Sequence, residues 1–68
     1  MNIFTTRLNE QLAINKITMY KLAKALNKNK QTVINWCTGI NEPKISQLKE
    51  LCEYFDISAD YLLGLKEY

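Results

Sequence analysis

Histidine is absent from this chain, and cysteine, glycine and proline number only two, two and one among 68 residues. Without histidine, the commonest general base of enzymes is missing. Cys37 and Cys52 stand too far apart to match a zinc-ligand spacing, and two isolated glycines cannot form a glycine-rich phosphate loop. We therefore expect neither an enzyme nor a metal site, and no cofactor or small-molecule ligand.

Long apolar runs are also missing from the sequence. No stretch approaches the roughly 20 apolar residues of a membrane span, and residues 1–7 lack the basic and then apolar pattern of a signal peptide. We expect a cytoplasmic protein with reduced thiols and no membrane partner. Its length predicts a single domain over residues 1–68.

Charge is distributed unevenly along the chain, although the net charge is only +2. Residues 1–15 are neutral overall, residues 16–44 carry +5, and residues 45–68 carry −3. A polyanion would dock on the basic third and be repelled by the acidic one. By itself, the charge pattern is equally consistent with a simpler interpretation, in which the lysines cover solvated helix faces.

Apolar periodicity and capping residues predict five helices and no strand, which makes the fold all-α. Phe4, Leu8 and Leu12 form the apolar stripe of the first helix. The predicted helices cover about residues 2–15, a segment from a Thr18 cap to Asn27, about 30–38, about 45–55, and a segment from a Ser58 cap to about 63.

A three-residue turn separates the second and third helices. Asn27 tolerates the left-handed backbone conformation that ends a helix, and Asn29 is a good cap for the helix that follows. Two helices joined by such a turn form the outline of a helix-turn-helix.

The third helix divides into two sides on a helical wheel. One side is expected to face the core and contains Thr32, Val33, Trp36 and Cys37. The opposite side contains Lys30, Gln31, Ile34, Asn35 and Thr38. Each of these polar residues alone is typical of an ordinary protein surface. Together, on a short capped helix after a tight turn, they favour a surface that recognises a partner.

The chemistry of this outer side suits the major groove of DNA. Lys30 can donate to guanine O6 or N7, and Gln31 and Asn35 carry the paired donor and acceptor that match adenine. We hypothesise that Ile34 contacts a thymine methyl group; packing against a neighbouring loop explains it equally well.

Other side chains are assigned mainly to packing. Trp36 is expected in the core, Ala23 is expected to let the second and third helices approach closely, and Cys37 is expected to be a structural thiol rather than a redox switch. The fourth helix should have one apolar face, formed by Ile45, Leu48, Leu51, Cys52 and Phe55. Two alternatives, a dimer patch and closure of the core, stay open for Tyr54, Tyr61, Leu65 and Tyr68.

The chain resembles the Cro and phage-repressor family of helix-turn-helix domains over nearly its whole length. The residues that carry the resemblance are Arg7-Leu8, the segment 20–26 (YKLAKAL), the segment 31–36 (QTVINW), Thr38-Gly39, Pro43, Leu48, Leu51 and the segment 55–64 (FDISADYLLG). The resemblance implies a compact five-helix fold like that of the lambda repressor, with the helix-turn-helix at helices 2 and 3.

The family's base-contacting positions correspond to Lys30, Gln31 and Asn35, which agrees with the helical wheel, and Asn41 matches a position that approaches the groove edge in relatives. The expected contacts to the sugar-phosphate backbone are Thr18, Met19, Lys21, Lys28, Thr38 and Lys44.

Five residues depart from the family pattern without contradicting the fold. Met19 stands where glutamine often bonds a phosphate through its side chain, and Asn27 stands where glycine is usual. Lys28 replaces an apolar turn residue, Cys37 a common glutamate, and Lys44 a common serine cap.

The function expected from these features is repression of transcription in a bacterial or phage-infected cell. A homodimer would bind double-stranded DNA at a palindromic operator and occlude a promoter, because 68 residues leave little room for an activating domain. The alternatives are a protein-interaction module that kept the fold without binding DNA, and the DNA-binding subunit of an antitoxin.

Overall fold

The computed structural model describes residues 2–68 and contains five α-helices. They are α1 (Ile3–Asn15), α2 (Met19–Ala25), α3 (Lys30–Thr38), α4 (Ile45–Phe55) and α5 (Ala59–Leu63). Within the described residues there is no strand, so the predicted all-α fold is confirmed.

Polar caps start the helices where the sequence predicted them. The Thr18 hydroxyl accepts the Lys21 amide at 3.0 Å, and the Ser58 hydroxyl accepts the Tyr61 amide at 3.0 Å. Asn2 is itself a cap, since its side chain accepts the Thr5 amide at 2.8 Å, and α1 therefore begins one residue later than predicted. Each cap pairs an N–H that would have no acceptor in the first helical turn.

Residues with a left-handed backbone conformation follow the C-terminal ends of the helices. Asn27 has φ 56° and Gly39 has φ 83°, as their positions predicted. Lys16 and Asp56 also adopt positive φ, at 55° each. These residues turn the chain sharply enough for consecutive short helices to pack against one another.

All five helices contribute buried residues to the core, and those of α4 come from its C-terminal half. Helix α2 packs on α3, α1 packs on both α3 and α5, and α4 meets α5. The buried apolar residues are Phe4, Leu8, Leu12, Leu22, Ala23, Val33, Trp36, Cys37, Leu51, Phe55 and Leu62. Trp36, Ala23 and Cys37 thus lie in the core as predicted.

The apolar face predicted for α4 is fully buried only in the C-terminal half of the helix. Ile45 is 87% exposed, whereas Leu51 and Phe55 are buried. Ile45 is the first residue of α4 and lies at the edge of the core, where it lines a groove together with Phe4, Glu42, Pro43, Leu48 and Leu63. Helical spacing gave the correct face, but it cannot show where along the helix the core ends.

Arg7 joins α1 to the C-terminal segment. Its guanidinium donates hydrogen bonds to the carbonyl oxygens of Tyr61 and Lys66, and it lies 4.6 Å from the centre of the Tyr61 ring. Tyr61 therefore helps to close the core. Leu65 and Tyr68 are 72% and 86% exposed, so they do not share that role.

Candidate nucleic-acid interface

Helix α3 presents its polar side away from the core. Val33, Trp36 and Cys37 are buried, while Lys30 and Gln31 are exposed. The Asn29 side chain accepts the Gln31 amide at 2.8 Å and so holds the start of the helix in place. The division into an inner and an outer side follows the predicted wheel.

Gln31 and Asn35 form a pair on this outer side. Gln31 Nε2 donates a hydrogen bond to Asn35 Oδ1 at 2.9 Å, because residues four apart are neighbours on a helix surface. Ile34 and Asn35 are half-buried rather than fully exposed. Ile34 thus keeps part of its apolar surface in solvent beside a polar amide pair.

Hydrogen bonds hold the loop after α3 against the end of that helix. The backbone amides of Ile40 and Asn41 both donate to the carbonyl oxygen of Asn35, at 3.0 and 3.2 Å. The exposed Asn41 is therefore held at the C-terminal end of the outer side. The Thr38 hydroxyl donates to the Ile34 carbonyl at 2.8 Å, and the Thr38 side chain is exposed.

Residues expected at the DNA backbone take several environments. Thr18, Lys21 and Lys44 are exposed. Met19 packs partly against the core, so that its backbone amide rather than its side chain is available to a phosphate. Lys28 forms an ion pair with Glu50 of α4, with Nζ 3.4 Å from Oε1.

Two features of the surface were not foreseen from the sequence. Tyr20 is 58% exposed, and the Lys30 ammonium lies 5.8 Å from the centre of its ring. Glu50 reaches the turn between α2 and α3 through its contact with Lys28. Both contacts join residues of different elements, so no local spacing could have predicted them.

Burial keeps the thiol of Cys37, in α3, neutral. Desolvation raises the pKa of Cys37 from 9.0 to about 11. A protonated, buried thiol is a poor nucleophile, which fits the structural role predicted for this residue.

The family model described as helix-turn-helix matches residues 10–62 of the chain. The chain belongs to the Cro and phage-repressor family of helix-turn-helix proteins. It is a DNA-binding transcriptional regulator with a fold like that of the lambda repressor. No curated protein and no solved structure matches it.

In this Cro-type domain α2 and α3 form the helix-turn-helix. No helix of the described part is long and apolar enough to cross a membrane. Residues 2–68 contain no group of three or more histidine, cysteine, aspartate or glutamate side chains that could hold a metal ion.

Proposed function

We propose that this regulator is a repressor that binds a two-fold symmetric operator as a homodimer, with α3 in the major groove. The observation that carries the proposal is the division of α3. Its apolar side chains Val33, Trp36 and Cys37 are buried, and a hydrogen-bonded pair of amide side chains lies on the outer side. Such amides recognise bases through paired donors and acceptors.

Each residue of the outer side has a proposed contact with the bases. Lys30 donates to a guanine, and the Gln31 and Asn35 pair contacts adenine. Ile34, with part of its side chain in solvent, contacts a thymine methyl group. Asn41 approaches the groove edge from the loop anchored to Asn35.

The flanking residues hold the domain on the sugar-phosphate backbone. We assign this role to the exposed Thr18, Lys21, Thr38 and Lys44, to the half-buried Lys28 in the turn, and to Met19 at the start of α2. Contacts of this kind set the register of the protein but carry no sequence information.

An exposed apolar surface supports the homodimer. Ile3, Ile45 and Leu63 are 46%, 87% and 47% exposed. Ile45 and Leu63 line one groove, and Ile3 lies directly against Gly64 at the end of α5. Exposing apolar side chains of this kind to water costs free energy unless a partner covers them. A second copy related by a two-fold axis would place two recognition helices on half-sites about 34 Å apart.

Selection of bound DNA from a randomised duplex pool, at near-physiological salt, tests the function. A symmetric consensus is expected, with preference over unrelated duplexes of at least about 10³-fold. Binding without a consensus that fades with salt would show a generic polyanion surface instead. A protein-interaction module would then be the favoured function.

Matched isoleucine variants test the dimer. Ile45→Asp places a charge in the proposed interface and should give a monomer in sedimentation analysis that binds a half-site but loses cooperative binding to the full operator. Ile14→Asp is the control, because Ile14 is 66% exposed and lies outside that groove. Equal behaviour of the two variants would contradict this interface.

A further inference from the structure

A basic cleft of about 270 Å³ lies between α2 and the start of α3, next to the proposed base-contacting side. Tyr20, Ala23, Lys24, Asn27, Lys28 and Lys30 line it. Three lysine side chains therefore line one concave site, and no carboxylate belongs to its lining. Such a site attracts an anion because several lysines lie around one concave surface that has no carboxylate in its lining.

Neighbouring groups hold two of these lysines. The Lys30 ammonium lies 5.8 Å from the centre of the Tyr20 ring, within the range of a cation–π contact. Lys28 Nζ lies 3.4 Å from Glu50 Oε1, which comes from α4 outside the cleft. Lys28 is thus shared between the cleft and a carboxylate.

We propose that this cleft binds a phosphate group of the DNA backbone, and that Glu50 competes with this phosphate for Lys28. The proposal rests on the proposed placement of α3 in the major groove, which brings a backbone strand to the turn between α2 and α3. Lysine binds a phosphate as a point charge and needs no fixed bidentate geometry. Lys24 and Lys28 bind the phosphate, and Lys30 extends from the cleft edge toward the adjacent base.

Glu50→Gln tests the competition by removing the carboxylate while keeping the side-chain shape. The variant should bind DNA about two- to fivefold more tightly per protomer, since an exposed ion pair is worth up to about 1 kcal/mol. Its affinity should also fall more steeply with salt, by up to about 0.9 in the logarithmic slope. A gain in affinity cannot result from misfolding.

Glu53→Gln is the matched control. It makes the same charge change on the same helix, but the carboxylate that pairs with Lys28 is that of Glu50, not that of Glu53. The affinity of Glu50→Gln should exceed that of Glu53→Gln, and the gain should vanish when Lys28→Gln is also present. Equal gains in the two glutamate variants, or a gain that persists without Lys28, would overturn the competition.

Lysine variants test the phosphate site itself. Lys24→Gln and Lys28→Gln should each weaken binding to operator and unrelated duplexes by the same factor, and each should reduce the salt slope by about 0.9. Lys49→Gln, on α4 and outside the cleft, is the control. Replacing one operator phosphate by a neutral methylphosphonate should abolish the difference between Lys28→Gln and the unmodified protein. If no single phosphate does so, the site is wrong.

Two further outcomes separate this proposal from its alternatives. Saturable binding of inorganic phosphate at constant ionic strength, with unchanged DNA affinity of the lysine variants, would assign the cleft to a free phosphate and overturn the DNA contact. Phosphate contacts are measured equally well on unrelated duplexes. A protein with no consensus sequence but with the expected Glu50 and lysine effects would therefore contradict the sequence-specific function and leave the cleft supported.

Discussion

The amide pair on α3 predicts that Gln31 and Asn35 act as one unit on bound DNA. Their hydrogen bond uses one Gln31 N–H and the Asn35 oxygen, at 2.9 Å. The Gln31 oxygen and the Asn35 N–H groups are left to face a base edge. A good bidentate contact to a base contributes about 1–3 kcal/mol of discrimination, or roughly 5- to 150-fold in affinity.

Gln31→Ala removes one contact and also the group that orients Asn35. Asn35→Ala should then cost less in the Gln31→Ala background than it costs alone. The loss in the double variant should fall short of the summed single losses by at least about 0.5 kcal/mol. Stability should change little, because an exposed pair of this spacing contributes only about 0.2–0.5 kcal/mol to its helix.

The assay compares dissociation constants of the four proteins for the operator and for duplexes changed at one base pair each, at one fixed salt concentration. Urea unfolding of each protein is the folding control. If the losses of binding free energy in the two single variants sum to that of the double variant within about 0.3 kcal/mol, the two amides bind independently. Equal losses on operator and unrelated duplexes would show that neither amide recognises a base.

Three further predictions concern packing, the turn and burial. Ala23, 2% exposed between α2 and α3, leaves no room for a larger side chain, so Ala23→Leu should lower the free energy of unfolding by about 1–3 kcal/mol in urea. Asn27→Ala should lower it by about 1 kcal/mol, or about 4–8 °C in Tm, because φ is 56° at this position; a variant that melts with the unmodified protein would contradict that strain. Because burial raises the pKa of Cys37 from 9.0 to about 11, the folded state keeps a proton that the unfolded state loses, and stability should fall as pH rises through this window by up to about 1.4 kcal/mol per unit. Cys37→Ala should flatten that decline in urea titrations, and an unchanged slope would show that the thiol does not cause it.

Local features of the fold were predictable because their causes are local. Thr18 and Asn29 cap helices through hydrogen bonds to amides two or three residues away. Asn27 and Gly39 adopt the positive φ that their residue types favour. The inner side of α3 followed from the apolar residues Val33 and Trp36 at helical spacing, so the opposite side could be assigned as well.

The sequence could not show how far the core extends along α4. Ile45 has the helical spacing of Leu48 and Leu51, but it lies at the very start of α4 and is 87% exposed, whereas Leu48 packs partly against the core. Periodicity along one helix gives a direction around its axis and contains no information about where the neighbouring helices stop. The base and backbone contacts stay predictions, because they depend on a DNA partner.

By itself the sequence determined the five helices, the turn between α2 and α3, and the chemistry on the outer side of α3, because each depends on residues within a few positions of one another. Tertiary structure alone decided that Glu50 pairs with Lys28, that Tyr20 lies beneath Lys30, and that three lysines line one cleft. These contacts join different helices, and their distances depend on how the whole core packs.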